Sequence, residues 1–130
     1  MKTDPTCRYT QSHDWIRVKG DEGTIGITDY AQNELSDIVY VELPESEDSF
    51  EKGEVYATVE SVKAAADCYL PVDGQILAAN ETLEDSPELV NSDPYGEGWF
   101  VRIKITDPAM LDELMDVEAY KAFCEEEGGH

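Results

Sequence analysis

The first hundred residues are cut into short runs of alternating apolar and polar side chains, each stopped within a few residues by Gly, Pro or an Asn/Asp cluster. A chain so divided cannot build long helices there, and each run has one apolar face to bury. "WIRVKG" and "TIGIT", separated by "GDEG", read as a hairpin. "DYAQNELSD" sets Tyr30, Ala31 and Leu35 at helical spacing, with Asp29 as its expected N-cap. "IVYVELP" reads as a buried strand closed by Pro44, and "ESEDSFEKGE" as an acidic loop ending at Gly53. In "EVYATVE", alternation sends Val55, Ala57 and Val59 to one face and Tyr56, Thr58 and Glu60 to the other. "CYLPVDG", "QILAAN" and "GWFVRIKI" continue the rhythm.

Helix signals close the chain. Asp107-Pro108 is an N-cap followed by proline, ahead of an apolar stripe of Leu111, Leu114 and Met115. A last helix is expected from about Val117, pairing Ala119 with Phe123 and Tyr120 with Cys124, and "EEEGGH" is expected to fray. The expectation is a mainly β chain, a sandwich or barrel of antiparallel strands with a short internal helix and peripheral C-terminal helices. It is expected to be one domain over residues 1–130, with a core at about 9–106 and the helices at about 107–126.

Charge narrows the function. With 30 acidic against 9 basic residues, the net charge is −21. Nucleic acid and anionic membranes require a basic footprint, so neither is an expected ligand. Partners with basic docking patches fit the charge; plain solubility is the competing explanation. Cys7, Cys68 and Cys124 are far apart and odd in number, which suggests reduced thiols in a cytosol-like compartment, with Cys68 a small hydrophobe. His13 and His130 make no zinc pattern, and no apolar run approaches a membrane span or a signal core.

Against this background Lys63 is isolated. From Gly53 through Val101 it is the only Lys or Arg, set within "VESVKAAAD". It follows one strand signal and precedes another, which places it at or near the tip of a Ser61–Ala64 turn. An exposed turn lysine is the common case. A catalytic amine would need an apolar pocket or a neighbouring cation. Here Glu60 and Asp67 favour the ammonium instead. A modification site fits better, because the modifying enzyme supplies the deprotonation and small neighbours such as Ala64, Ala65 and Ala66 leave the amine open. The residues alone do not name the group attached.

"YTQSHDW", "GITDYAQ", "DIVYVELPE", "VESVKAAAD", "SPELVNSDPYGEGWF" and "LDELMDVEAY" occur in family order, and with them the chain resembles the glycine cleavage H-proteins from Tyr9 to about Cys124. Biotin carriers share the fold type but centre on a Met-Lys-Met turn, whereas Val62 and Ala64 flank Lys63. The resemblance implies a lipoyl/biotinyl-type β-sandwich (a barrel-sandwich hybrid) that is a carrier, not an enzyme. It implies lipoic acid on Lys63, with Glu60, Val62 and Ala64 read by lipoylating enzymes. The implied partners are glycine decarboxylase, which loads an aminomethyl group, aminomethyltransferase, which unloads it, and dihydrolipoyl dehydrogenase, which reoxidises the arm. It also implies a pocket for the loaded arm at Ser12, Asp14 and Asp67. No metal is expected. A monomer is expected, cytoplasmic in a bacterium or in the mitochondrial matrix as a mature eukaryotic protein. Two alternatives remain: a lipoate relay donor to 2-oxoacid dehydrogenase subunits, or an unmodified acidic interaction module. Departures from the family pattern are Asp14 for Glu, Ser36 for Gly, Ala66 for Ser and a more acidic loop before Gly53.

Overall fold

A computed structural model describes residues 1–128. Nine strands form two antiparallel sheets: β1 (Cys7–Tyr9), β2 (Asp14–Lys19), β3 (Glu22–Ile27), β4 (Ile38–Glu42), β5 (Ser49–Phe50), β6 (Val55–Ser61), β7 (Ala65–Tyr69), β8 (Gly74–Ala79) and β9 (Val101–Ile105). Six pair in the order β1-β2-β3-β9-β8-β5 and three in the order β4-β6-β7. The helices are α1 (Asp29–Leu35), α2 (Thr82–Asp85), α3 (Leu89–Ser92) and α4 (Val117–Gly128), with a 3-10 helix at Pro108–Glu113.

Alternation builds the core. Ile16, Ile25, Ile103 and Ile76 from the larger sheet meet Val41, Ala57, Val59 and Cys68 from the smaller one in a single apolar cluster. Full burial of such a side chain contributes about 1.5–3 kcal/mol. On the outer face of the larger sheet, α4 packs over a second cluster of Cys7, Tyr9, Trp15, Tyr120 and Cys124. Here the Tyr9 and Tyr120 rings stack at 4.4 Å. Gly26 is required under Trp15, since a Cβ would sit 2.9 Å from the indole. The three cysteines are free and buried, and desolvation pushes the Cys7 thiol up to about 12.

Several expectations are corrected. The α1 N-cap is Thr28, whose hydroxyl accepts from the Ala31 amide; Asp29 lies in the first turn. Strand β4 is not fully buried, because a bulge between Ile38 and Tyr40 turns Val39 and Tyr40 to the surface. A bulge between Val55 and Ala57 likewise exposes Val55 and buries Tyr56, so alternation holds only from Ala57 onward. The acidic loop contains strand β5, which pairs with β8. Asp107 caps Ala109 as expected, but the helix it starts is 3-10 and ends at Glu113, leaving Met115 to bridge Tyr9. Glu125–Glu127 are helical rather than frayed; the expectation for Gly129 and His130 lies outside the described residues.

Three non-glycine residues among those described have positive φ: His13, Ser36 and Glu47. Ser36 has φ 71° and ψ −155°, a region that glycine enters freely and other residues reach at a cost of about 1–3 kcal/mol. This is where the sequence departs from the family glycine.

Candidate lysine attachment site

Strands β6 and β7 form a hairpin whose tip is Val62–Ala64, with Lys63 exposed. The tip is shaped by one hydroxyl. Ser61 Oγ accepts from the amides of Lys63 (3.2 Å) and Ala64 (3.0 Å) and donates to the Ala64 carbonyl (3.0 Å), beside the Ser61 N–H to Ala64 carbonyl bond at 2.8 Å. Ser61 was legible in the sequence only as a turn residue; its hydroxyl as organiser of the tip is a structural finding.

The tip rests on the turn between α1 and β4. The Val62 amide donates to the Asp37 carbonyl at 3.0 Å, and Lys63 Nζ donates to the Glu34 carbonyl at 3.1 Å. Helix α1 has no basic residue in its last turn, so the Lys63 ammonium stands where a cation offsets the partial negative charge of a helix C-terminus. The four ion pairs among the described residues do not include Lys63. The other end of α1 is tied down through its cap. Thr28 Oγ1 lies 2.7 Å from the Tyr120 hydroxyl, which lies 2.8 Å from His13 Nδ1, while His13 Nε2 donates to Glu127 at 2.8 Å. Helix α4 thereby holds the element on which the lysine rests.

Around the hairpin, the outer face of the smaller sheet is mixed acidic and apolar. Register puts Tyr40, Glu60 and Ala65 in one row and Glu42, Thr58 and Asp67 in the next. Five of the large hydrophobic residues that remain exposed belong to this sheet or its hairpin: Val39, Tyr40, Val55, Val62 and Tyr69. Val62, next to the lysine, is 68% exposed. On the opposite outer face, Arg17, Lys19, Arg102 and Lys104 share the rows of β2, β3 and β9. Four basic residues thus share the outer face of the larger sheet, while the face that flanks Lys63 carries Glu42, Glu60 and Asp67.

Ser12, Asp14 and Asp67 are not gathered into one polar pocket. Ser12 is exposed in a cleft lined by Tyr9, Thr10, Lys52, Glu113 and Met115. Asp67 is exposed and faces outward from β7, while its neighbour Cys68 faces inward. Asp14 is 1% exposed; neither carboxylate oxygen has a hydrogen-bond partner, and the Tyr56 hydroxyl is buried and unpartnered too. Desolvation raises the Asp14 pKa well above the usual carboxylate range; the Tyr69 backbone and Thr10 hydroxyl lie near enough to oppose it in part but outside hydrogen-bond geometry. The charge of Asp14 in turn helps raise the pKa of Tyr56 and Cys68, after the larger effect of their own burial. The physical reason for the separation is alternation: adjacent residues on β7 point to opposite faces, and the short Asp14 side chain turns into the core.

A lysine at an exposed hairpin tip, on a mainly antiparallel β-sandwich, matches the architecture expected of a lipoyl-type carrier domain. The chain belongs to the glycine cleavage H-protein family. The family model described as "Glycine cleavage H-protein" matches residues 7–127. A "Glycine cleavage system H protein" of Halothermothrix orenii is 52% identical over 126 residues, covering 97% of this chain and 98% of that one. One of Thermotoga maritima is 48% identical over 120 residues, covering 92% and 97%. The crystal structure of a glycine cleavage system H protein from Mycobacterium marinum aligns with a TM-score of 0.84 at 32% identity, covering 97% of this chain and 99% of that one. Among the described residues, no helix is long and apolar enough to cross a membrane.

Proposed function

We propose that Lys63 carries a covalently attached lipoyl group and that the chain is a substrate carrier with no catalytic activity of its own. The observation that carries this reading is the tip geometry: an exposed ammonium with small neighbours, held only by one carbonyl. Lysine chemistry fits an amide linkage there, and the hairpin presents Val62 and Ala64 at the surface for a lipoylating enzyme, with Glu60 one row behind. When bound, the lipoyl group would supply a cyclic disulfide that is reduced in taking up a one-carbon amine unit and that remains on the lysine as a dithiol once the unit is passed on. The chain itself positions the arm, and its small tip residues leave room for the arm to swing. Peptide mapping of natively produced protein is expected to find lipoate on Lys63 alone; lipoate on another lysine overturns the reading.

The partners in this reading are glycine decarboxylase, aminomethyltransferase, dihydrolipoyl dehydrogenase and the lipoylating enzymes, met in a cytoplasm-like compartment. The acidic residues beside Lys63 support steering: basic surfaces are drawn to the Glu42, Glu60 and Asp67 face that flanks it. Association rates with dihydrolipoyl dehydrogenase are expected to fall as salt rises, with smaller changes in dissociation. Reversing Glu42 and Glu60 to lysine is expected to slow association about tenfold at low salt. Stopped-flow measurements over a salt series check both, and a flat profile returns the charge to plain solubility.

The amine-holding role implied for Ser12, Asp14 and Asp67 has support from one of them, the buried and unpartnered Asp14 carboxyl. A group so placed gains from a cation or donor brought within reach. Asp67, on the outer face, fits the docking surface better.

A further inference from the structure

We infer that Asn91 is a positioning residue for the lysine hairpin, acting through the α1–β4 turn; this deepens the proposed function and rests on its assignment of Lys63. Asn91 lies in α3, more than fifty residues from the turn it holds. Its Nδ2 donates to Gln32 Oε1 (2.8 Å) and to the Ser36 carbonyl (2.9 Å), and its Oδ1 accepts from the Ile38 amide (2.9 Å). The three bonds straddle Ser36 and Asp37. Ser36 sits in the left-handed region that a residue with a Cβ leaves unless its surroundings hold it there. Asn91 supplies that hold from outside the turn, beside the bond from the Ser36 amide to the Gln32 carbonyl at 3.0 Å.

The clamped turn then offers the tip two hydrogen bonds beyond the β4–β6 ladder: the Asp37 carbonyl to the Val62 amide and the Glu34 carbonyl to Lys63 Nζ. The Ser61 hydroxyl fixes the internal shape of the tip but not its tilt against the sandwich. Among the described residues, the Val62–Asp37 bond is the one backbone hydrogen bond from residues 62–64 to another element. Beyond the β4–β6 ladder, which ends at the Ile38–Ser61 pair, tilt of the tip is therefore set by the turn, which Asn91 helps hold. A modifying enzyme that reads Val62, Lys63 and Ala64 together needs that tilt fixed before it binds, because freezing a loose tip on binding costs entropy.

The test uses the full chain in its unlipoylated form, with Asn91→Ala, Asn91→Asp, Ser36→Gly and the double variant Asn91→Ala/Ser36→Gly. Asparagine 91 changed to alanine is expected to speed amide exchange at Val62 about tenfold while Ile103, in the larger sheet, exchanges at the wild-type rate. The kcat/KM for acylation of Lys63 by a lipoate ligase, with lipoate and ATP, is expected to fall about fivefold to tenfold. Glycine at 36 holds the required φ without a clamp, so the double variant is expected to recover both readouts to within about twofold of wild type. Asn91→Asp keeps the acceptor for Ile38 and loses both donations; it carries the test if the alanine variant does not fold. Unchanged Val62 exchange in the folded variants overturns the inference, and so does a double variant no better than Asn91→Ala. Faster exchange at Ile103 in step with Val62 assigns Asn91 to general stability and also overturns it. If wild-type protein takes no lipoate on Lys63, the functional reading fails, while Val62 exchange still judges the clamp.

Discussion

Lys63→Ala is expected to take no lipoate and to support no glycine–bicarbonate exchange with the other components of the system, a complete loss rather than a graded one. A carrier works only through the group it carries, and Lys63 has no substitute: it is the single cation of a 49-residue stretch from Gly53 through Val101. The fold is expected to survive. The side chain is exposed and makes one hydrogen bond, to the Glu34 carbonyl, so its removal shifts stability by no more than about 0.5 kcal/mol. Lys63→Arg separates charge from chemistry. It keeps a cation at the α1 C-terminus but offers no amine to acylate, so it is expected to be equally inactive and as stable as wild type. Lys52→Ala, at a lysine paired with Glu113 outside the hairpin, is expected to keep full activity. Exchange activity in Lys63→Ala, or a large drop in its melting temperature, contradicts the assignment.

Asp14→Asn is expected to stabilise the protein at neutral and alkaline pH, with an advantage that shrinks to near zero as pH falls toward 4. The Asp14 pKa is raised in the folded chain and returns to about 3.8 on unfolding. Between those values the folded chain holds a proton that the unfolded chain releases. Stability from this group is thus present below the unfolded pKa and is lost as pH rises toward the folded one. Burying an unpartnered polar group costs about 1–3 kcal/mol, and more when it is charged. Asparagine does not titrate, so the variant is expected to melt about 5–10 °C higher above neutrality. Thermal unfolding of both proteins from pH 4 to 9 checks this. A wild-type curve parallel to that of Asp14→Asn across the range shows that Asp14 finds a partner in solution. In that case its buried carboxyl no longer supports a cation-receiving role.

What the chain determined by itself is local. Alternation in "WIRVKG" and "GWFVRIKI" identified strands, "GDEG" a hairpin and Asp107-Pro108 a helix start, because each depends on residues within a few positions. The isolation of Lys63 is equally a property of the sequence. Tertiary structure decided the rest. The bulges at Ile38/Tyr40 and Val55/Ala57 insert a residue and flip the faces that alternation assigned, since a strand's pattern is read against its partner strand. Strands β7 and β8 follow each other in the chain yet pair in different sheets, one with β6 and the other with β9 and β5. Nothing adjacent in sequence marks Asp14 as buried; long-range packing encloses it beside Tyr56 and Cys68. Nothing adjacent to Asn91 points to the lysine either, and only the approach of α3 to α1 brings its amide onto the Ser36 turn. Strands, turns and the Asp107 cap follow from neighbours in sequence; the faces at bulges, burial of a charge and support of the lysine follow from neighbours in space, brought together by the packing of the two sheets.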